Sequence, residues 1–136
     1  MEIVFKIVFY TIASIACFGI AGLCEAIMDT LQFHYESSIF YCFKKKYFWD
    51  PKISWYNKYK NKDPLAGPRF PGSTTLFVGL TDGWHFFKLL RNLFIVIGVF
   101  ILLYAIVGPM WALIYVVVAR VVFGLAFTLF YYILGD

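Results

Sequence analysis

The stretch Thr81 to Arg120, TDGWHFFKLLRNLFIVIGVFILLYAIVGPMWALIYVVVAR, decides the fold. From Leu93 to Val107 it is apolar apart from Tyr104, and the helical pattern carrying that run begins at Trp84, behind Thr81 or Asp82 as an N-cap. At ~1.5 Å of rise per residue, such a helix crosses a ~30 Å hydrocarbon layer. Gly108-Pro109 interrupts it, because proline cannot donate to a continuing helix, and Met110 to Leu134 then supplies a further apolar run with one charge, Arg120. Residues 84–107 and 110–134 are thus expected to form a hairpin of two spans.

Toward the N-terminus, Ile3 to Leu23 is apolar apart from Lys6, Tyr10, Thr11 and Ser14, which places a first span at residues 3–28. Glu2 does not suit the basic start of a signal peptide and no small-x-small cleavage site follows, so the segment reads as a retained anchor. Ala13, Cys17 and Ala21 recur every four residues and suit close helix approach. Cys17, Cys24 and Cys42 have no metal-ligand spacing and read as packing residues.

Between the first span and the hairpin, residues 29–80 are basic and aromatic. Lys44, Lys45, Lys46, Lys52, Lys58, Lys60, Lys62 and Arg69 stand against Asp50 and Asp63. By the positive-inside rule this section is cytoplasmic, with the N-terminus outside and the C-terminus inside. Asp50-Pro51 is expected to stop helix, Asn61 to Gly72 to be irregular, and Ser73 to Leu80 to form an extended or re-entrant piece. The fold class is all-α: a polytopic transmembrane protein of three spans in a single membrane domain, residues 1–136, with an amphipathic aromatic and basic section at the interface. The composition agrees, since 62% apolar and 15% charged residues exclude an ordinary soluble domain.

The first span does not end cleanly. Gly22 to Glu36, GLCEAIMDTLQFHYE, turns acidic with no breaker, and on a continuing helix Glu25, Asp29, Gln32 and Glu36 fall within about 60° of one another. Asp82 and His85 lie one turn apart at the same membrane boundary. Two readings follow. Glu25, Asp29, Asp82 and His85 can converge on a divalent cation, each supplying an oxygen or imidazole ligand. Alternatively Asp82 caps its own helix, His85 faces headgroups, and Glu25 and Asp29 pair with Lys88 or Arg91.

Arg120 falls ~16 Å into the third span, where an unpaired guanidinium costs at least ~2.5 kcal/mol. It either snorkels or meets a neighbouring subunit, a lipid phosphate or a translocated ion. Lys44, Lys45, Lys46, Trp49, Trp55 and Lys58 are the lipid-binding residues by composition, ammonium groups for phosphates and rings for the acyl boundary. The run WYNKYKNK, Trp55 to Lys62, has the base and ring pattern of a single-strand binder, but beside a bilayer anionic headgroups are the better partner and nucleic acid is not expected. Phosphate-loop, nucleophile-elbow and HExxH motifs are absent from the sequence.

The segments MDTLQFHY (Met28 to Tyr35), WYNKYK (Trp55 to Lys60), FPGSTT (Phe70 to Thr75) and TDGWH (Thr81 to His85) resemble a set of small membrane proteins of bacteria and their phages. The resemblance implies a membrane class, with a bacterial inner membrane as the expected location, and no activity. Two functions are consistent with the residues: an oligomeric, non-enzymatic module that scaffolds, binds lipid or conducts ions, or an interfacial metal-dependent enzyme acting on lipid headgroups through the acidic and His cluster. Self-association into a homo-oligomer would cover the small-residue face and Arg120.

Overall fold

The computed structural model describes residues 2–135, with side chains described for residues 4–126. The chain is all-α, with α1 at Glu2–Phe33, α2 at Lys46–Trp49, α3 at Pro51–Ser54, α4 at Gly83–Val107 and α5 at Pro109–Gly135. Among the described residues there is no strand, only an isolated antiparallel bridge between Tyr59 and Pro68. Three helices, α1, α4 and α5, are long and apolar enough to cross a membrane. The chain is that of a small integral membrane protein.

α1 runs past the expected end of the first span, to Phe33. No proline or glycine follows Gly22 to stop it, and the Thr30 hydroxyl donates to Ala26 O at 2.7 Å rather than competing for a turn. α5 begins at Pro109 as the glycine-proline pair requires. Gly108 alone joins it to α4, at φ +82, a left-handed conformation that glycine adopts without steric cost.

Two compact units divide the chain. The first comprises Met1–Phe18 and Ile95–Asp136. Here α1 and α4 meet closely at Gly98, where a Cβ would stand 3.2 Å from Cys17 Cβ and 3.3 Å from the Phe18 ring. The missing side chain lets the buried Ser14 hydroxyl donate to Gly98 O at 2.8 Å. Tyr10 and Tyr104 meet edge to face at 5.3 Å. On α5, Ala112 and Val116, four residues apart, are buried on one face, while Leu113, Val117, Val121 and Val122 are exposed. Such exposure is what acyl chains cover in a membrane span. Arg120 is exposed, its guanidinium 5.4 Å from the Phe123 ring centre.

The second unit is Gly19–Phe94. Its core is Leu31, Tyr35 and Phe40, with Ile27, Trp49, Trp84 and Phe87 packed against them. Trp49 stacks on Phe40 at 5.2 Å and meets Phe43 at 5.3 Å and Phe48 at 5.0 Å edge-on. Gly83 allows the start of α4 to close on this cluster, since a Cβ there would be 3.0 Å from the Trp49 ring.

Two local expectations are corrected. Asp50-Pro51 ends α2 but also starts α3: the Asp50 side chain accepts from Lys52 N, and Pro51 occupies the first turn, where its missing N–H costs nothing. Ser73 to Leu80 is not extended but a run of turns ending in a short 3-10 helix, Val78–Leu80, closed by Phe77 N to Gly72 O at 2.8 Å and Leu80 N to Phe77 O at 3.0 Å. The segment bonds its backbone locally and has no need of a sheet partner.

Candidate functional site

Asp82 is the anchor of the site. It stands immediately before α4, and its Oδ1 accepts from His85 N at 2.9 Å, the N-cap geometry expected of this position. Its Oδ2 lies 2.7 Å from His85 Nδ1 and 3.0 Å from the Thr81 hydroxyl. The ring therefore donates from Nδ1, leaving Nε2 uncommitted to this carboxylate. Only 2% of Asp82 is exposed, so its charge is offset by these donors and by the positive end of α4.

The segment facing Asp82 is held by long-range hydrogen bonds to backbone. Asn57 Nδ2 donates to Tyr47 O at 2.5 Å and to Thr81 O at 3.0 Å, fastening the loop to the residue before Asp82. The fully buried Ser73 hydroxyl donates to Lys58 O at 2.7 Å, and Arg69 N donates to the same oxygen at 2.9 Å. These contacts fix Lys58, which is itself 7% exposed. Its ammonium lies 3.2 Å from the centre of the Trp55 ring, a desolvated cation–π contact. Burial pushes the Lys58 pKa down, and the nearby Asp82 opposes the shift. Among the described residues no carboxylate forms an ion pair with Lys58.

Beside this cluster is a cavity of about 260 Å³ lined by Gln32, Pro51, Ser54, Trp55, Asp82 and Trp84. Both tryptophans of its wall carry a cation, Lys58 on Trp55 and Lys88 on Trp84 at 4.9 Å. His85 packs on both rings, at 5.5 Å from Trp55 and 5.0 Å from Trp84. The chemical character is mixed: a hydroxyl and an amide that can donate, two aromatic walls backed by ammonium groups, and one carboxylate already occupied by its own helix.

The residues expected to bind a divalent cation are thus distributed. Asp82 and His85 are together; Glu25 forms an ion pair with Arg91; Asp29 is exposed on α1. Among the described residues no three His, Cys, Asp or Glu side chains come together as a metal-ligand group. The expected lipid-facing residues divide as well. Lys44 and Lys45 are exposed, Lys46 lies over the Tyr41 ring at 4.4 Å, and Trp55 is half exposed, whereas Trp49 is part of the aromatic packing and Lys58 is buried. Sequence reasoning passed over Ser54 and Asn57. Their only signal was a polar identity within segments of mixed pattern. Comparison of the chain with protein-family models, with curated proteins and with solved structures finds no match.

Proposed function

We propose that the protein is a membrane-anchored module that binds a phospholipid headgroup in the cavity between Trp55 and Trp84. The observation that carries this reading is the buried Lys58 ammonium, held on an aromatic face beside Asp82 with no ion-pair partner among the described residues. Burying a cation costs several kcal/mol unless something compensates, on the order of the desolvation penalties known for single ions. A headgroup phosphate would supply the missing oxygens, with Ser54 and Gln32 as further donors, and the tryptophan rings would contact the glycerol and upper acyl region. Lys44 and Lys45 would attract anionic lipid at longer range, from the cytoplasmic side if the positive-inside rule holds.

The test is lipid retention. Protein extracted in mild detergent is expected to keep about one phospholipid per chain by native mass measurement, and Lys58→Met or Trp55→Ala to lose it. Equal retention by wild type and both variants would refute the reading. Assembly belongs to the same proposal: Arg120, exposed on an apolar helix, is expected to be covered by a second copy, so the detergent particle should weigh a multiple of the chain.

A second reading, enzymatic chemistry on headgroups, is favoured by the Asp82–His85 pair alone, which orients an imidazole as general bases are oriented. A metal-assisted version would also require Glu25 to leave Arg91. Release of headgroup from vesicles by wild type and not by His85→Gln would move the account to this reading.

A further inference from the structure

We infer that the loop from Asn57 to Arg69 carries a second binding site, for a phosphate-type oxyanion, independent of the cavity between the two tryptophans. A concavity of about 290 Å³ is lined by Asn57, Tyr59, Asn61, Lys62 and Arg69. The two cations are seven residues apart in sequence, and the fold brings them together deliberately. The bridge between Tyr59 and Pro68 closes the loop, with Lys60 N donating to Gly67 O and Arg69 N to Lys58 O, both at 2.9 Å.

The loop's tip is unusual. Asn61 and Lys62 have φ values of 54° and 61°, consecutive left-handed residues neither of which is glycine. Asparagine tolerates this region, but lysine has no such allowance, so the tip is strained at Lys62. The conformation is held by Lys62 N to Tyr59 O at 3.2 Å and Asp63 N to Lys60 O at 3.0 Å. Its result is that Lys62 lines the same concavity as Arg69.

Among the described residues neither Lys62 nor Arg69 forms an ion pair. The nearest acid in sequence, Asp63, is used locally, its Oδ1 accepting from Leu65 N at 2.9 Å. Asn57 shares the wall, buried and anchored through its own amide to Tyr47 O and Thr81 O. Two cations and an asparagine amide around one hollow are the donor set of an oxyanion site: the guanidinium fork takes two oxygens, the ammonium acts as a point charge, and the Asn61 amide can donate to a third. The ligand class is a phosphate group, carried either by a soluble molecule or by a lipid whose phosphate is terminal.

The full chain in phosphatidylcholine nanodiscs, with the Asn61 side-chain amide followed by NMR, separates the sources. Inorganic phosphate added at constant ionic strength is expected to shift that signal saturably, which assigns a soluble ligand. A shift produced by phosphatidic acid in the disc, and not by free phosphate, assigns a lipid. In either case Arg69→Gln and Lys62→Gln should each weaken binding roughly tenfold, the loss of one charge-assisted contact. Both side chains are exposed, so neither change should disturb folding, and Arg69→Lys should retain part of the affinity. The inference is overturned if neither probe shifts the signal, if chloride shifts it equally, or if the two Gln variants bind as wild type does.

Discussion

In the unit formed by Met1–Phe18 and Ile95–Asp136, the one buried polar side chain among the described residues is Ser14, which bonds a helix carbonyl. In the unit Gly19–Phe94, Ser54, Asn57, Lys58, Ser73, Thr81 and Asp82 are all buried. The two units solve different problems. A spanning helix satisfies its backbone internally and leaves apolar side chains to the acyl phase, so it needs few tertiary contacts. A segment made of short turns exposes backbone groups everywhere and must find them partners, which Asn57, Ser73 and Asp82 supply at Tyr47, Lys58, Thr81 and His85. What the difference teaches is where to look for function. Ser14 is accounted for by helix packing, whereas a buried lysine without an ion pair is not accounted for by loop building.

The contrast can be tested by mutation, and the largest effect is expected at Asp82. Asp82→Ala removes the cap of α4 and leaves the His85 backbone N–H and Nδ1 without their acceptor, a loss of about 2–4 kcal/mol in reversible unfolding in micelles. Asp82→Asn keeps a capping oxygen and should cost less than half as much. An Ala variant as stable as wild type would mean that the polar network is decoration.

Next is Gly98 in the other unit. Gly98→Leu puts side-chain atoms against Cys17 and Phe18, and overpacking of this kind costs about 1–3 kcal/mol. The same unfolding experiment should show this loss without any change at Asp82's network, which an amide-exchange map would read separately.

Much of this organisation was legible in the sequence, for reasons that can be named. The three spans were, because a bilayer selects composition over a whole window; so was the break at Gly108-Pro109, because both residues act on their own backbone. Asp82 as a cap and its closeness to His85 were readable from a three-residue spacing on a helix. Lys58 was not. Its eight-residue surroundings, WYNKYKNK, look like a solvated or headgroup-facing run, and only contacts from Arg69 and Ser73, more than ten residues on, turn it inward. The packing of Trp49 was not legible for the same reason: an interfacial belt and a core of tryptophan and phenylalanine have the same local composition. Ion pairing of Glu25 with Arg91 was one of two open readings, and nothing local decides between a cation from elsewhere in the chain and a bound metal.

A smaller effect is expected from pH. The folded state holds the Lys58 pKa below its usual 10.5, so the unfolded chain binds the proton more readily. Below the folded pKa both states are protonated and the full penalty of burying the charge is present. As pH rises through that pKa toward 10.5 the penalty is relieved and stability should increase, the unfolded state binding more protons throughout that window. Lys58→Met should flatten this part of the profile. A profile unchanged in Lys58→Met would show the lysine to be solvated.

The smallest is at Glu36 and Lys52, which pair at 2.8 Å with side chains 74% and 79% exposed. The hydrogen bond from Lys52 lowers the Glu36 pKa, so whatever the pair contributes is present above the usual carboxylate value and lost as pH falls through the lowered one. At such exposure Glu36→Gln should leave the melting midpoint within experimental error. A clear loss would give this surface pair a weight that solvent screening denies it.

Entry of a headgroup into the cavity between Trp55 and Trp84, as opposed to its lying on the basic surface, can be read by photocrosslinking. A phospholipid bearing a diazirine in its headgroup, incorporated with the full chain in nanodiscs, would be activated and the adducts located by peptide mass. The expected adducts fall on Gln32, Ser54, Trp55 and Trp84, and they disappear when Lys58 is replaced by Met. Adducts confined to Lys44 and Lys45, with the cavity residues unlabelled, would contradict the account.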